Sequence, residues 1–163
     1  MTKKKESKLE NLKKDYAKLQ KKHNLPPFEK LNEDFHIEKT AEVESDILIR
    51  EIRKLVADKL AGYLRFTEML LNPVNVPMFI FSILKNLGIE EKKQLSEVYK
   101  KLAKNEVKLI RVDVEFSEQK EAEFIKSSYK LWQGLKKDIL ELLNDVEKKG
   151  DNKFEINKKG YFG

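Results

Sequence analysis

A heptad-spaced row of side chains near the carboxyl end constrains the fold more than any other feature of this sequence. Its members follow one another at intervals of 3, 4, 3, 4, 3 and 4 residues: Ile125, Ser128, Trp132, Leu135, Ile139, Leu142 and Val146. That spacing places them all on one side of an α-helix, along a seam about 30 Å long. A helix with such a seam needs other helices to cover it, so the pattern predicts helices packed on helices.

The rest of the chain predicts further helices. Glycine and proline occur only 6 and 4 times in 163 residues, too few for a β-protein with many tight turns. We therefore predict an all-α protein, a bundle of about five helices with a basic amphipathic N-terminal helical arm and a loose C-terminal tail. The expected helices cover residues 3–22, 27–35, 45–71, 76–87, 89–109 and 117–148.

Proline and glycine mark the expected ends of these helices. The segment 24–27 ends the first helix, because a residue before proline is pushed out of the helical region. Asn75 suits a helix cap with Pro77 in the first turn that follows. Gly88 suits the left-handed position that often ends a helix.

Residues 110–116 carry the one strand-like pattern, in which apolar and charged residues alternate. We interpret this segment as a frayed helix end and an extended link, with Ser117 as the cap of the last helix. A second interpretation is a winged helix-turn-helix, with 92–104 as the recognition helix and 107–116 as the wing. The lack of a visible second wing strand argues against this interpretation.

The N-terminal arm accounts for the net charge of the chain. Residues 1–22 hold nine lysines against three acidic residues, which equals the +6 of the whole protein. Its apolar seam between Leu9 and Leu19 is too short to hold a helix firmly in water, so we expect the arm to pack on the body or on a partner. The predicted domains are the arm at 1–24, a helical-bundle domain at 25–149 and a flexible tail at 150–163.

The sequence shows no constellation for catalysis, for a metal or for a cofactor. Cysteine is absent and His23 and His36 are the only histidines, which leaves few nucleophiles or metal ligands. Glu33 and His36 form one Glu-x-x-His pair, whereas a di-iron bundle needs two. The glycines do not follow the spacing of phosphate-binding loops. We therefore predict a protein that is not an enzyme, with no metal and no cofactor.

Composition also indicates where the protein acts. No segment reaches the roughly 18 consecutive apolar residues that a membrane span needs. The charged start does not resemble a secretion signal, and the absence of cysteine fits a reducing compartment. We expect a cytoplasmic protein that does not enter a membrane.

Residues 74–84 form a strongly apolar segment without a charged side chain. A helix that is apolar all round is either a buried core helix or is partly covered by a partner. In the second case Met78, Phe79, Phe81 and Leu84 form a surface for another protein or for a second copy. Phe79 and Phe81 point some 200° apart on a helix, so we expect substitutions at these positions to have unequal effects.

From these features we predict a non-enzymatic helical binding or scaffold protein, a module for protein–protein interaction. The alternative is a nucleic-acid-associated protein that binds backbone phosphates, since residues 85–111 carry eight basic and four acidic residues. Only 4 of the 34 basic residues are arginine, which disfavours specific base readout. The phosphate contacts expected in that case are Lys13, Lys14, Lys18, Lys21, Lys22, Lys92, Lys93, Lys100, Lys101, Lys104 and Lys108.

Overall fold

A computed structural model describes residues 2–43, 47–74 and 78–159; for some of these residues, including Phe79, only the backbone is described. Helices make up the secondary structure of these ranges, and no strand occurs in them. The predicted all-α class is confirmed. In chain order the elements are α1 (Thr2–His23), α2 (Phe28–Phe35), a 3₁₀ helix (Ile37–Glu42), α3 (Leu48–Leu71), α4 (Met78–Asn86), α5 (Ile89–Val114) and α6 (Glu118–Lys159).

The chain divides into two compact units. Unit 1 comprises Met1–Ala61 and Lys104–Trp132, and unit 2 comprises Gly62–Ala103 and Gln133–Gly163. The long helices α3, α5 and α6 each contribute one segment to unit 1 and one to unit 2. None of the helices in the described ranges has the length and apolar content to cross a membrane.

Helix α1 packs on its own chain within unit 1. Asn24 adopts a left-handed conformation (φ 55°), which asparagine tolerates better than most residues, and this turns the chain after α1. The helix then contacts α2 and the 3₁₀ helix. Tyr16 is fully buried, its ring meets Phe28 edge to face at 5.4 Å, and its hydroxyl donates a hydrogen bond of 2.6 Å to the Pro26 carbonyl. The basic arm is therefore an integral helix of unit 1.

The apolar faces of α3 and α6 form much of the core of unit 1. Helix α3 buries residues at helical spacing, among them Ile49, Ile52, Val56 and Leu60. Helix α6 buries the first half of the predicted seam, and Trp132 meets the ring of Phe35 at 6.3 Å. The heptad pattern therefore identified the buried side of α6 correctly.

The core of unit 2 is a cluster of leucines. Leu70, Leu87, Leu95 and Leu142 are buried together. Partly buried side chains of α3 and α4 surround them: Phe66, Met69, Leu71, Ile83 and Leu84. The second half of the α6 seam also lies in unit 2, and Leu135 and Ile139 are buried there as well.

Helix α5 is longer than the sequence pattern predicted. It continues to Val114, so the extended link and the wing of the winged-helix interpretation are both wrong. The physical reason is that α5 carries apolar residues on two faces. Val112 points inward with 8% exposure, whereas Ile110 and Val114 point outward at 57% and 80%. Read in sequence, two opposite helix faces imitate the alternation of a strand.

Two further helix ends differ from the prediction. Helix α4 ends at Asn86, and Gly88 does not adopt the predicted left-handed conformation. Helix α6 continues to Lys159 instead of ending near residue 148, so most of the predicted tail at 150–163 is helical. A single interior glycine such as Gly150 costs a helix only about 1 kcal/mol, which does not end a long one. The predicted cap at Asn75 and Pro77 lies outside the described residues.

Candidate functional site

The predicted partner surface on α4 divides between solvent and core. Met78 is 84% exposed and Phe81 is 43% exposed. Leu84 is instead partly buried, because it packs against the leucine cluster of unit 2. The side chain of Phe79 lies outside the described residues, so the predicted contrast between Phe79 and Phe81 stays a prediction.

A second apolar surface, which the sequence pattern did not reveal, lies on α5. Val107, Ile110 and Val114 are 62%, 57% and 80% exposed. Their spacing of 3 and 4 residues places them in one row along the helix, all within unit 1. We refer to these three residues as the α5 seam. Continuing the helical period of α5 through residue 114 would have predicted it, but the alternation at 110–116 concealed that period.

The opposite face of α5 holds the seam in its outward position. Leu102, Asn105 and Val112 are buried, with exposed fractions of 2%, 4% and 8%. Asn105 accepts a hydrogen bond of 3.1 Å from the buried hydroxyl of Ser128 on α6. A buried polar pair of this kind is costly to separate, so it fixes which side of α5 faces the core.

A buried ion cluster ties α3, α5 and α6 together in unit 1. Arg53 Nε lies 2.8 Å from Glu121 Oε2, and Arg53 Nη2 lies 2.9 Å from Asp113 Oδ1. Both Arg53 and Glu121 are buried. Glu121 Oε1 has no hydrogen-bond partner among the described residues, although Arg50 Nε lies 3.8 Å away. Arg50 also stacks on Phe116 at 3.9 Å.

The ion cluster lines an open cleft of about 330 Å³. Glu121 lies at the wall of this cleft, with its Oε1 atom buried away from solvent. The carboxylates of Glu121 and Asp113 are both engaged by Arg53, so the arrangement acts as a clamp between helices. It brings no histidine or hydroxyl nucleophile next to a base.

A second polar contact joins the end of α1 to the start of α6. His23 Nε2 lies 2.6 Å from Glu118 Oε1, and Lys22 Nζ lies 2.9 Å from the same oxygen. The hydrogen bond with His23, followed by that from Lys22, holds the pKa of the Glu118 carboxyl below its ordinary value of 4.5. The Lys126 ammonium donates a hydrogen bond of 3.0 Å to the His23 carbonyl and extends this contact.

The lysines predicted to contact phosphates are all on the outside of the helices, but several are paired with acids. Ion pairs of 2.8 to 3.7 Å join five of these eleven lysines to carboxylates: Lys13, Lys18, Lys22, Lys100 and Lys101. The side chains of the other six are exposed: Lys14, Lys21, Lys92, Lys93, Lys104 and Lys108. Pairing lowers the positive potential that a phosphate backbone would meet.

The Glu33 and His36 pair does not share a helix face. His36 ends α2 in a left-handed conformation (φ 53°), so its side chain leaves the face that carries Glu33. Among the described residues no group of three or more histidine, cysteine, aspartate or glutamate side chains could hold a metal ion.

The α5 seam is thus a row of three exposed apolar side chains within unit 1. Comparison with protein-family models, with curated proteins and with solved structures finds no match to this chain.

Proposed function

We propose that this protein is a non-enzymatic helical interaction module that binds an apolar helix face through the α5 seam. The observation that carries the proposal is the row formed by Val107, Ile110 and Val114, exposed on a helix whose other face is buried. We place the protein in the cytoplasm, which the absence of cysteine supports.

The arrangement of the seam favours binding over an ordinary solvated surface. Single exposed apolar residues are common and need no explanation, whereas contiguous ones mark interaction sites. Covering each of these β-branched side chains with a partner would contribute about 1–2 kcal/mol. The helix is already ordered by its buried face, so binding would not have to order it.

The exposed part of the α4 surface supports the same function in unit 2. Met78 and Phe81 offer an adaptable thioether and an aromatic ring to a partner. Leu84 is no longer included, because it packs in the leucine cluster. The alternative function, phosphate binding by lysines, gains no support from the carboxylate partners of five of them.

Site-specific photo-crosslinking tests this proposal. A photoreactive side chain replaces Ile110 in one chain and Lys108 in a control chain. Both positions are exposed, but they point about 200° apart on the helix. In lysate of the natural host we expect protein adducts from position 110, with far fewer from position 108.

Salt and nuclease separate the two candidate functions. Adducts from position 110 should persist at about 1 M salt, where charges are screened within about 3 Å, and after nuclease treatment. Equal adducts from both positions, or adducts that disappear with nuclease, would contradict the proposal.

A further inference from the structure

We propose that the α5 seam pairs with the same seam of a second copy, with the two helices parallel and in register. This inference rests on the proposed function and names its partner. The support is the pattern of charges that flank the seam, because flanking charges select partner and orientation when two helices pack side by side.

The seam fits the positions of a heptad repeat. Val107 and Val114 occupy a positions and Ile110 occupies a d position. Glu106 then falls at a g position and Arg111 at the following e position. In a parallel, in-register pair, a g residue faces the e residue five places further along the partner helix. Glu106 therefore faces Arg111 of the second copy, and the symmetry repeats this contact.

An antiparallel pair brings like charges together. In that orientation g residues face g residues, which places Glu106 beside Asp113 of the second copy, a carboxylate whose charge Arg53 already offsets in part. Likewise e residues face e residues, which places Lys104 beside Arg111. Like charges across a helix interface are unfavourable, so the flanking residues favour the parallel orientation.

The two residues that would form the intermolecular contact, Glu106 and Arg111, are only weakly engaged elsewhere in the described part of the chain. Neither Glu106 nor Arg111 forms an ion pair with another described residue, and Arg111 is exposed. The nearby acid Glu115 pairs with Lys120, and Arg111 adds a weaker electrostatic attraction to the same carboxylate. Arg111 is therefore accessible to a carboxylate of a second copy.

The dimer is expected to be weak and reversible. The seam is about 10 Å long, shorter than the three or four heptads of a stable coiled coil. Ile110 at a d position also packs less well between two parallel helices than leucine does. The folded unit offsets part of this weakness, because α5 is already helical and its seam already faces outward, so association does not have to order it.

Sedimentation of the full-length chain tests association and its charge pattern. The mass of the wild type should rise from monomer towards dimer between about 10 µM and about 1 mM, a range that matches a small interface. Glu106→Lys alone and Arg111→Glu alone should each weaken association by about tenfold. A mixture of the two variants should associate again, because each then faces an opposite charge.

Orientation is tested with introduced cysteines, since the natural chain has none. Under mild oxidation Val114→Cys should form a disulfide between two copies, because a positions lie opposite each other only in the parallel pair. Lys108→Cys is the control, exposed on the same helix but outside the seam, and should not cross-link. Circular dichroism verifies that each variant keeps its helices.

Three outcomes would overturn this inference: a wild type that is monomeric throughout, a mixture no better than its components, or equal cross-linking of both cysteine variants. If position 110 cross-links to a different protein while the chain stays monomeric, the proposed function holds and the self-pairing fails. If position 110 yields no protein adduct, both fail.

Discussion

Arg53 and Glu121 form the ion pair on which unit 1 depends most. Their side chains are 9% and 1% exposed, so removing one partner leaves a charge buried. We expect Arg53→Met to lower the free energy of unfolding by about 3–5 kcal/mol. Replacing both residues with methionine should restore most of that loss. Denaturant unfolding measures the stability of the wild type, the single variant and the double variant. A loss of less than about 1 kcal/mol in Arg53→Met would contradict the importance of this buried ion pair.

Glu118 gives the protein a dependence on acid pH. Because its folded pKa is lowered, its contribution is fully present above its ordinary pKa of 4.5 and is lost as the pH falls through the folded pKa. We therefore expect the stability difference between wild type and Glu118→Gln to shrink as the pH falls from about 6 to about 3. Glu10→Gln, on the exposed side of α1, is the control. A stability difference between wild type and Glu118→Gln that does not change with pH would contradict this role of Glu118.

Local contacts of single residues could be predicted from the sequence, whereas distant ones could not. Ser117 was predicted as a helix cap, and its hydroxyl accepts a hydrogen bond of 3.2 Å from the Lys120 backbone. That contact spans one helical turn. The pairing of Arg53 with Glu121 joins residues 68 positions apart, so no spacing rule within one element could reveal it.

At the scale of elements, a helix was predicted well where only one of its faces is apolar. In the α6 seam every residue from Ile125 to Leu142 is buried, while the side chain of Val146 lies outside the described residues. Helix α5 was misread beyond residue 109 because its core face and its outward seam overlap in sequence. The strand-like alternation was in fact the signal of a second surface.

Helix α1 shows how an element that looks detached can be part of a core. Its lysines dominate the composition, and the narrow apolar seam alone left open whether it packs on the body or on a partner. The structure answers this through Tyr16, which is buried against Phe28. Burial raises the pKa of the Tyr16 hydroxyl well above its ordinary 10.0, so it stays a neutral hydrogen-bond donor at physiological pH.

At the scale of the whole molecule, the proposed function depends on exposed surfaces of the helices. The lysines of the arm and of residues 85–111 leave phosphate binding as the alternative proposal, although several of these lysines have carboxylate partners. The apolar seam of α5 was hidden from sequence reasoning, because exposure depends on which other elements cover a helix. We therefore propose that α5 stabilises unit 1 through one face and binds a partner through the other.

A pair of substitutions two residues apart tests this claim most directly. Val112→Glu places a carboxylate in the core and should destabilise the fold by several kcal/mol. Ile110→Glu places the same group on the exposed seam and should leave the melting temperature within about 3 °C of wild type. Only Ile110→Glu should yield a folded protein that no longer associates. Equal destabilisation by both, or unchanged association in Ile110→Glu, would contradict the two-faced role of α5.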